Sequence, residues 1–254
     1  MEILVLLKQT FDTEEKIVIK DRRILEEGIE FIVNPYDEYA IEEAVSLKEA
    51  YGGQVTVLTV GKERAESALR TALAMGTDHA ILITQDDEQD EYVVSQWIAA
   101  AVRNKEYDLI LGGNMAIDSG SGQVAIRVAE LLGVPHVSNI TKLMINQKTA
   151  TVERDVEGDV ETIEVALPFL ATAQQGLNEP RYPSLQGIVK AKKKPLEVIT
   201  PADLYLPTNV QDSRTEVTNQ YLPVKKSSGK VLQGDVTSQV RELIHLLRND
   251  TKVI

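Results

Sequence analysis

The sequence predicts a doubly wound, mostly parallel α/β sheet, and three observations carry that expectation. Apolar runs of β type alternate with helically spaced runs from Ile3 to Pro135. The β runs show no apolar/polar alternation, as expected of strands covered on both faces. Polar or glycine-rich loops leave three of them at what should be one edge, where ligands sit in open α/β sheets.

Taken in order, Ile3 to Leu7 is the first such strand, followed by the polar loop Lys8-Gln9-Thr10-Phe11-Asp12-Thr13. Ile17 to Ile19 with Arg23 and Ile24 reads as a small excursion, a hairpin by its length. Asn34-Pro35 starts a turn, and Asp37 is expected to cap the helix from Glu38 to Tyr51 that Ala40, Ile41, Ala44, Val45 and Leu47 mark out. Gly52-Gly53 ends it before the second strand, Val55 to Val60. Ala65, Ala68, Leu69, Ala72 and Leu73 line the next helix, with Gly76 at its end. His79 to Thr84 is the third strand. The acids from Asp86 to Glu91 read as a solvated loop favouring the N-terminus of a helix over Tyr92 to Arg103, in which Trp97 packs inward.

Leu109 to Leu111 then delivers the chain to its most informative loop, Gly112 to Gly122. Gly112, Gly113, Gly120 and Gly122 let backbone approach a ligand closely, and the helix Gln123 to Leu132 offers unpaired N–H groups suited to a phosphate. Ser119 and Ser121 add hydroxyls, and Ser121 is expected as the N-cap. An ordinary tight turn with a serine cap fits the same residues, and the loop is neither GxxxxGK[ST] nor GxGxxG.

After Pro135 the runs Leu143 to Ile145, Thr149 to Arg154, Thr162 to Ala166 and Phe169 to Ala173 predict a hairpin-rich addition to the sheet. From Thr200 to Lys230 no period holds, and Pro201, Pro207, Pro223 and Ser227-Ser228-Gly229 fit an extended arm. Val236, Val240, Leu243, Ile244 and Leu247 predict a terminal helix, to be buried on a second subunit or docked back on its own domain. The division expected is a nucleotide-binding α/β domain over residues 1–199 and a C-terminal arm and helix over 200–254.

Composition narrows the function. The 254 residues carry a net charge of −12, which argues against a nucleic-acid surface. There is no cysteine, hence no disulfide or thiol nucleophile, and the three histidines lack metal-site spacing. No apolar stretch approaches the ~20 residues of a membrane span, so a cytoplasmic chain without membrane insertion is expected. No pair of carboxylates stands in a readable catalytic spacing, and no residue is required for acid/base chemistry.

Six ordered motifs cover nearly the whole chain: Lys8-Gln9 with Asp12-Thr13, Asn34-Pro35-Tyr36-Asp37, Arg70 to Gly76, Asp118 to Gln123 with Ala129 to Pro135, Asn178-Glu179-Pro180-Arg181-Tyr182, and Lys190 to Lys194. In these the chain resembles the β subunit of electron transfer flavoprotein. The resemblance implies the adenine-nucleotide-binding, Rossmann-like fold and a heterodimer with an α subunit that holds most of the FAD. It further implies an AMP bound here by Leu6, Asn34, Pro35, Tyr36, Asp37, Val60, Asp118, Ser121, Gly122, Gln123, Val124 and Ala125. Tyr182 to Lys194 resembles the family's recognition loop, in which Leu185 would anchor acyl-CoA and other dehydrogenases, with Lys190, Lys192, Lys193 and Lys194 steering encounter. A solvated basic helix end with Leu185 packed inward is the other reading. Electrons would pass onward to a quinone oxidoreductase.

Two residues depart from the pattern. Gly120 stands where many members carry an acid, and the aromatic that some place near Thr13, close to the flavin, is absent. A bifurcating member, with a second FAD in place of AMP, uses the same loops. An ATP-using enzyme of the same fold would need an SGGxDS-like loop after the first strand, where Lys8-Gln9-Thr10-Phe11-Asp12 stands instead.

Overall fold

Residues 3–6 fail to alternate because β1 (Glu2–Leu6) runs through the middle of a nine-stranded sheet and is covered on both sides. A computed structural model describes residues 1–254 apart from 208, 209, 211, 225–227, 251 and 254; parts of the expected arm, Ser227 included, lie outside the described residues. The elements that follow are β2 (Gln9–Phe11), β3 (Ile19–Lys20), β4 (Arg23–Ile24), β5 (Phe31–Val33), α1 (Pro35–Tyr51), β6 (Gln54–Gly61), α2 (Glu66–Met75), β7 (His79–Thr84) and α3 (Glu91–Val102). Then come β8 (Leu109–Gly113), α4 (Gln123–Leu132), β9 (His136–Asn146), β10 (Thr149–Val156), β11 (Asp159–Ala166), β12 (Phe169–Ala173), α5 (Leu185–Ala191), β13 (Leu196–Ile199) and α6 (Val236–Asn249).

The sheet order is β11-β10-β9-β12-β8-β1-β6-β7-β13. Only the β9–β10 and β10–β11 pairings within it are antiparallel. Strand β1 pairs in parallel with β6 on one side and β8 on the other, Leu6 opposite Leu58 and Gly112. Alternate residues of β1 enter two cores: Ile3 and Val5, with Leu7 just beyond the strand, join α1 and α2, while Leu4 and Leu6 join α3 and α4. The chain is thus wound outward from β1 in both directions, with a helical layer on each face, as the uninterrupted apolar runs predict.

Two features of the sheet differ from the sequence expectation. Phe169 to Ala173 is not part of the hairpin-rich addition: β12 turns back to lie parallel between β8 and β9, and all five of its residues are buried. Its sequence, FLATA, has no polar face, which fits a central strand rather than a hairpin arm. At the opposite edge β13 pairs in parallel with β7; its four residues behind a lysine run gave no periodic signal.

The chain divides into two compact units, residues 1–18 with 25–218, and residues 19–24 with 219–254. In the first, the Asp90 carboxylate caps α3 through the Val93 N–H at 3.0 Å and also accepts the Thr215 N–H at 2.9 Å. In the second, the β3–β4 hairpin is bound by Gln220, whose N–H donates to Arg22 O at 3.0 Å and whose Oε1 accepts the Ile24 N–H at 2.9 Å. Asp235 caps α6 through the Ser238 N–H. No residue of α6 is buried, and Val236, Val240, Leu243 and Ile244 leave its apolar face exposed. Among the described residues no helix is long and apolar enough to cross a membrane.

The central place of β12 is testable. Phe169→Ala should cost about 3–5 kcal/mol in chemical denaturation, whereas Val160→Ala on the exposed face of β11 should stay within about 0.5 kcal/mol; equal effects would contradict this topology.

Candidate functional site

Strand order reverses at β1, since successive strands run from β1 through β6 to β7 on one side and begin again at β8 on the other. In such sheets the loops leaving the reversal point diverge and open a crevice at the carboxyl ends of the strands. Here the loops after β1 and β8 flank the crevice, and the turn after β6 lies beside them.

Asp37 holds the two flanking loops together. Its Oδ2 accepts the Lys8 N–H at 2.6 Å and its Oδ1 accepts the Gly113 N–H at 2.8 Å, with the residue buried. Asp37 therefore does not cap α1 as the sequence predicts; Asn34 occupies the N-cap without a side-chain cap bond, and Asp37 lies in the first turn with its carboxylate turned across the sheet. Burial pushes its carboxyl up to about 7, against the pull of the Lys8 and Gly113 N–H groups toward the ionised form. Gly113 is required at this point: a Cβ there would stand 2.3 Å from Asp37 Oδ1.

Asn34 secures the loop after β8. Its Nδ2 donates to Met115 O at 2.9 Å and its Oδ1 accepts the Ile117 N–H at 3.1 Å. Lys8 Nζ reaches Asp118 Oδ1 at 2.7 Å and pairs with the one acid in the loop between β8 and α4. The loop closes on itself through Ala116 N–H to Ser121 O and Gly120 N–H to Ala116 O, at 2.9 and 2.8 Å.

The loop ends at the start of α4, where a second expectation is corrected. Ser121 is not the N-cap; Gly122 is, and no side chain caps the helix. The Ser121 Oγ is buried without a hydrogen-bond partner among the described residues, next to a helix terminus whose first N–H groups have no intrahelical acceptors. Gly122 allows this close turn, since a Cβ would lie 2.6 Å from Asn114 O. A buried hydroxyl without a partner is costly, and an anion accepting from it and from the uncapped N–H groups removes that cost.

The structure brings Leu6, Asn34 to Asp37 and the Asp118–Ala125 stretch to one crevice, with Val60 near the end of the neighbouring strand. Asn34 and Asp37 spend their side chains on holding loops, so they shape the crevice through backbone position. The expected docking residues lie elsewhere, on α5 and the turn that follows it: Leu185 is 84% exposed, and Lys190, Lys192 and Lys193 are exposed. Lys194 is not among the outward charges. Its ammonium donates to Leu73 O at 3.0 Å and to Thr77 O at the end of α2, and burial lowers its pKa.

Sequence reasoning missed one cluster. Arg181 donates from Nε and Nη2 to the Glu42 oxygens at 2.8 and 2.9 Å, and from Nη1 and Nη2 to the Glu49 oxygens at 2.6 and 3.0 Å. Burial alone would raise the Glu42 carboxyl, but hydrogen bonding to Arg181 brings it below its ordinary value. Glu42 and Glu49 stand two helical turns apart on one face of α1, which was the available signal.

The fold and crevice define an α/β protein of the Rossmann-like class. The electron transfer flavoprotein domain family matches residues 22–204. The chain is similar to electron transfer flavoprotein subunit beta of Bacillus subtilis (strain 168), 57% identical over 257 residues with 100% of both chains covered. It is also similar to the subunit of that name in Syntrophomonas wolfei, 40% identical over 100% of this chain and 98% of the relative. A third relative, the caffeyl-CoA reductase-Etf complex subunit CarD of Acetobacterium woodii, is 36% identical over 94% and 95%. This chain belongs to the electron transfer flavoprotein family, in its β-subunit branch.

Asp37→Asn tests the bridge. The amide can accept from one N–H only and turns its own donor on the other, so stability should fall by about 1–3 kcal/mol in urea denaturation; an unchanged midpoint would mean that the two loops do not depend on this carboxylate.

Proposed function

We propose that this chain is the non-catalytic β subunit of a heterodimeric electron carrier that binds AMP in the crevice beside β1 and docks dehydrogenases through α5. The observation that carries the AMP reading is the unpartnered Ser121 hydroxyl beside the uncapped start of α4. In this reading the phosphate accepts from Ser121 Oγ and from backbone N–H groups of Gly122 to Ala125. Leu6, the backbone of Asn34 to Asp37, and Val60 receive the adenosine. Lys8, paired with Asp118, keeps that acid from repelling the phosphate.

FAD supplies the redox chemistry and is held mainly by the α subunit. Of the expected arm over 200–254, residues 219–254 would pack on that subunit, while residues 200–218 belong to the first compact unit. Support comes from the exposed apolar face of α6, since a helix of 14 residues is marginal in water without a surface to cover it. Leu185, exposed at the first position of α5, would enter a pocket on acyl-CoA and other dehydrogenases, with Lys190, Lys192 and Lys193 steering encounter with an acidic surface. A quinone oxidoreductase would take the electrons, in the cytoplasm.

A second reading, FAD in the crevice in place of AMP, draws support from the relative named as a subunit of a reductase complex. Both ligands present the same adenosine and phosphate to these loops. The ATP-using alternative loses ground because residues 9–11 form β2, paired with β5, in place of a phosphate-gripping loop after β1.

Ser121→Ala separates ligand binding from folding. The hydroxyl makes no hydrogen bond among the described residues, so the melting temperature of the nucleotide-stripped heterodimer should not fall. AMP affinity by calorimetry should fall about tenfold, the scale of a lost hydrogen bond to a charged group. Unaltered affinity would remove the phosphate from this position.

A further inference from the structure

The stretch from Asn178 to Ser184 has no regular secondary structure, yet it is fastened to α1. Asn178 Nδ2 donates to Tyr39 O and to Glu43 Oε2, both at 3.0 Å. The guanidinium of Arg181 lies between Glu42 and Glu49 in two bidentate contacts, and its backbone N–H adds a bond to Glu42 Oε2 at 3.0 Å. Glu42 is buried and takes a further hydrogen bond from Ser46 Oγ. Such a carboxylate has its acceptor sites filled in one geometry only, so it fixes position as well as charge.

At its start α5 is capped by Ser184, whose Oγ accepts the Gly187 N–H at 3.0 Å. At the far end Arg70 Nη1 donates to Ala191 O and Lys194 O, at 2.9 and 3.0 Å, and ties the helix to α2. A seven-residue helix mounted at both ends presents Leu185, Ile188 and Val189 outward. This mounting consumes charged groups that no crevice or docking contact requires.

We propose that Arg181 is a positioning residue for partner docking: gripped by Glu42 and Glu49, it fixes the entry to α5 so that Leu185 is oriented before a dehydrogenase arrives. The inference rests on the docking role of Leu185 proposed above. Its physical basis is preorganisation: a segment already ordered in the free protein need not be ordered on binding, so affinity gains without any new contact across the interface. Arg serves where Lys would not, because one planar guanidinium reaches both carboxylates at once.

The test uses the purified heterodimer with its native nucleotides, reduced by an acyl-CoA dehydrogenase and its acyl-CoA in steady state. Arg181→Gln should raise the KM for the flavoprotein about tenfold and leave kcat, the nucleotide content and the flavin spectrum unchanged. Arg181→Lys should give an intermediate KM. Glu49→Gln, at the exposed half of the grip, should raise KM about threefold and keeps the test available if Arg181→Gln folds poorly. Combined with Leu185→Ala, Arg181→Gln should add no further loss. If Leu185→Ala raises KM while Arg181→Gln and Glu49→Gln do not, the positioning role is overturned and the docking role stands. If Leu185→Ala leaves KM unchanged, the docking role falls and takes this inference with it. Multiplicative losses in the double variant would show that Arg181 acts independently of Leu185 and would overturn the proposal.

Discussion

A buried carboxylate that accepts one backbone N–H from the end of β1 and another from the end of β8 is the constraint on which the crevice depends. Strands that diverge at a point of reversal leave their terminal N–H groups without ladder partners, and Asp37 supplies acceptors to both. The carboxylate itself sits in the first turn of α1, where the helix terminus favours negative charge. Burial opposes that charge, and the two N–H donors offset part of the penalty. Because Asp37 Oδ1 needs the space that a Cβ would take, Gly113 is fixed by the same contact. Asn34, one turn earlier, then dictates where the loop from Met115 to Ile117 runs, and hence where Ser121 and α4 begin.

Helix α1 therefore acts as a shared beam. Its N-terminus sets the crevice through Asn34 and Asp37, and its body holds the Asn178–Ser184 stretch through Glu42, Glu43 and Glu49. Its inner face, Ala40, Ile41, Ala44 and Val45, is buried against the sheet, so neither polar end can move without disturbing the core. Helix α2 plays the matching part for the end of α5: its C-terminal carbonyls take Lys194, and its Arg70 takes the carbonyls of Ala191 and Lys194. The face that carries Leu185 is thus built on the same two helices that cover one side of the sheet.

Most of the fold was legible in the sequence because strands covered on both faces leave an unmistakable apolar run, and Gly52, Gly76 and Gly133 punctuate the helices between them. What escaped was long-range. FLATA reads alike as a hairpin arm or a central strand, and only its insertion between β8 and β9 decides. The chain order hides the pairing of Gln220 with the β3–β4 hairpin, which lies far away in sequence. In the crevice, the glycines and the helix start were readable, but the polar roles were exchanged: Asp37 and Ser121 both carry cap-like sequence positions, and neither caps. A residue type favoured at caps is favoured for its short acceptor side chain, which serves equally well across a sheet or toward a ligand. Lys194 stands in a run of lysines whose other members face solvent, and nothing local marks it as the one that turns inward.

The central claim is that the crevice beside β1, shaped by Asp37 and completed by Ser121 and α4, holds the AMP of a single-flavin electron carrier. The most direct measurement is to purify the heterodimer, denature it, and quantify the released nucleotides by chromatography and mass. One FAD and one AMP per heterodimer is the result expected. Release of FAD alone at one per heterodimer, with no adenine nucleotide left for the β subunit, would contradict the claim, and two FADs without AMP would replace the ligand while keeping the site.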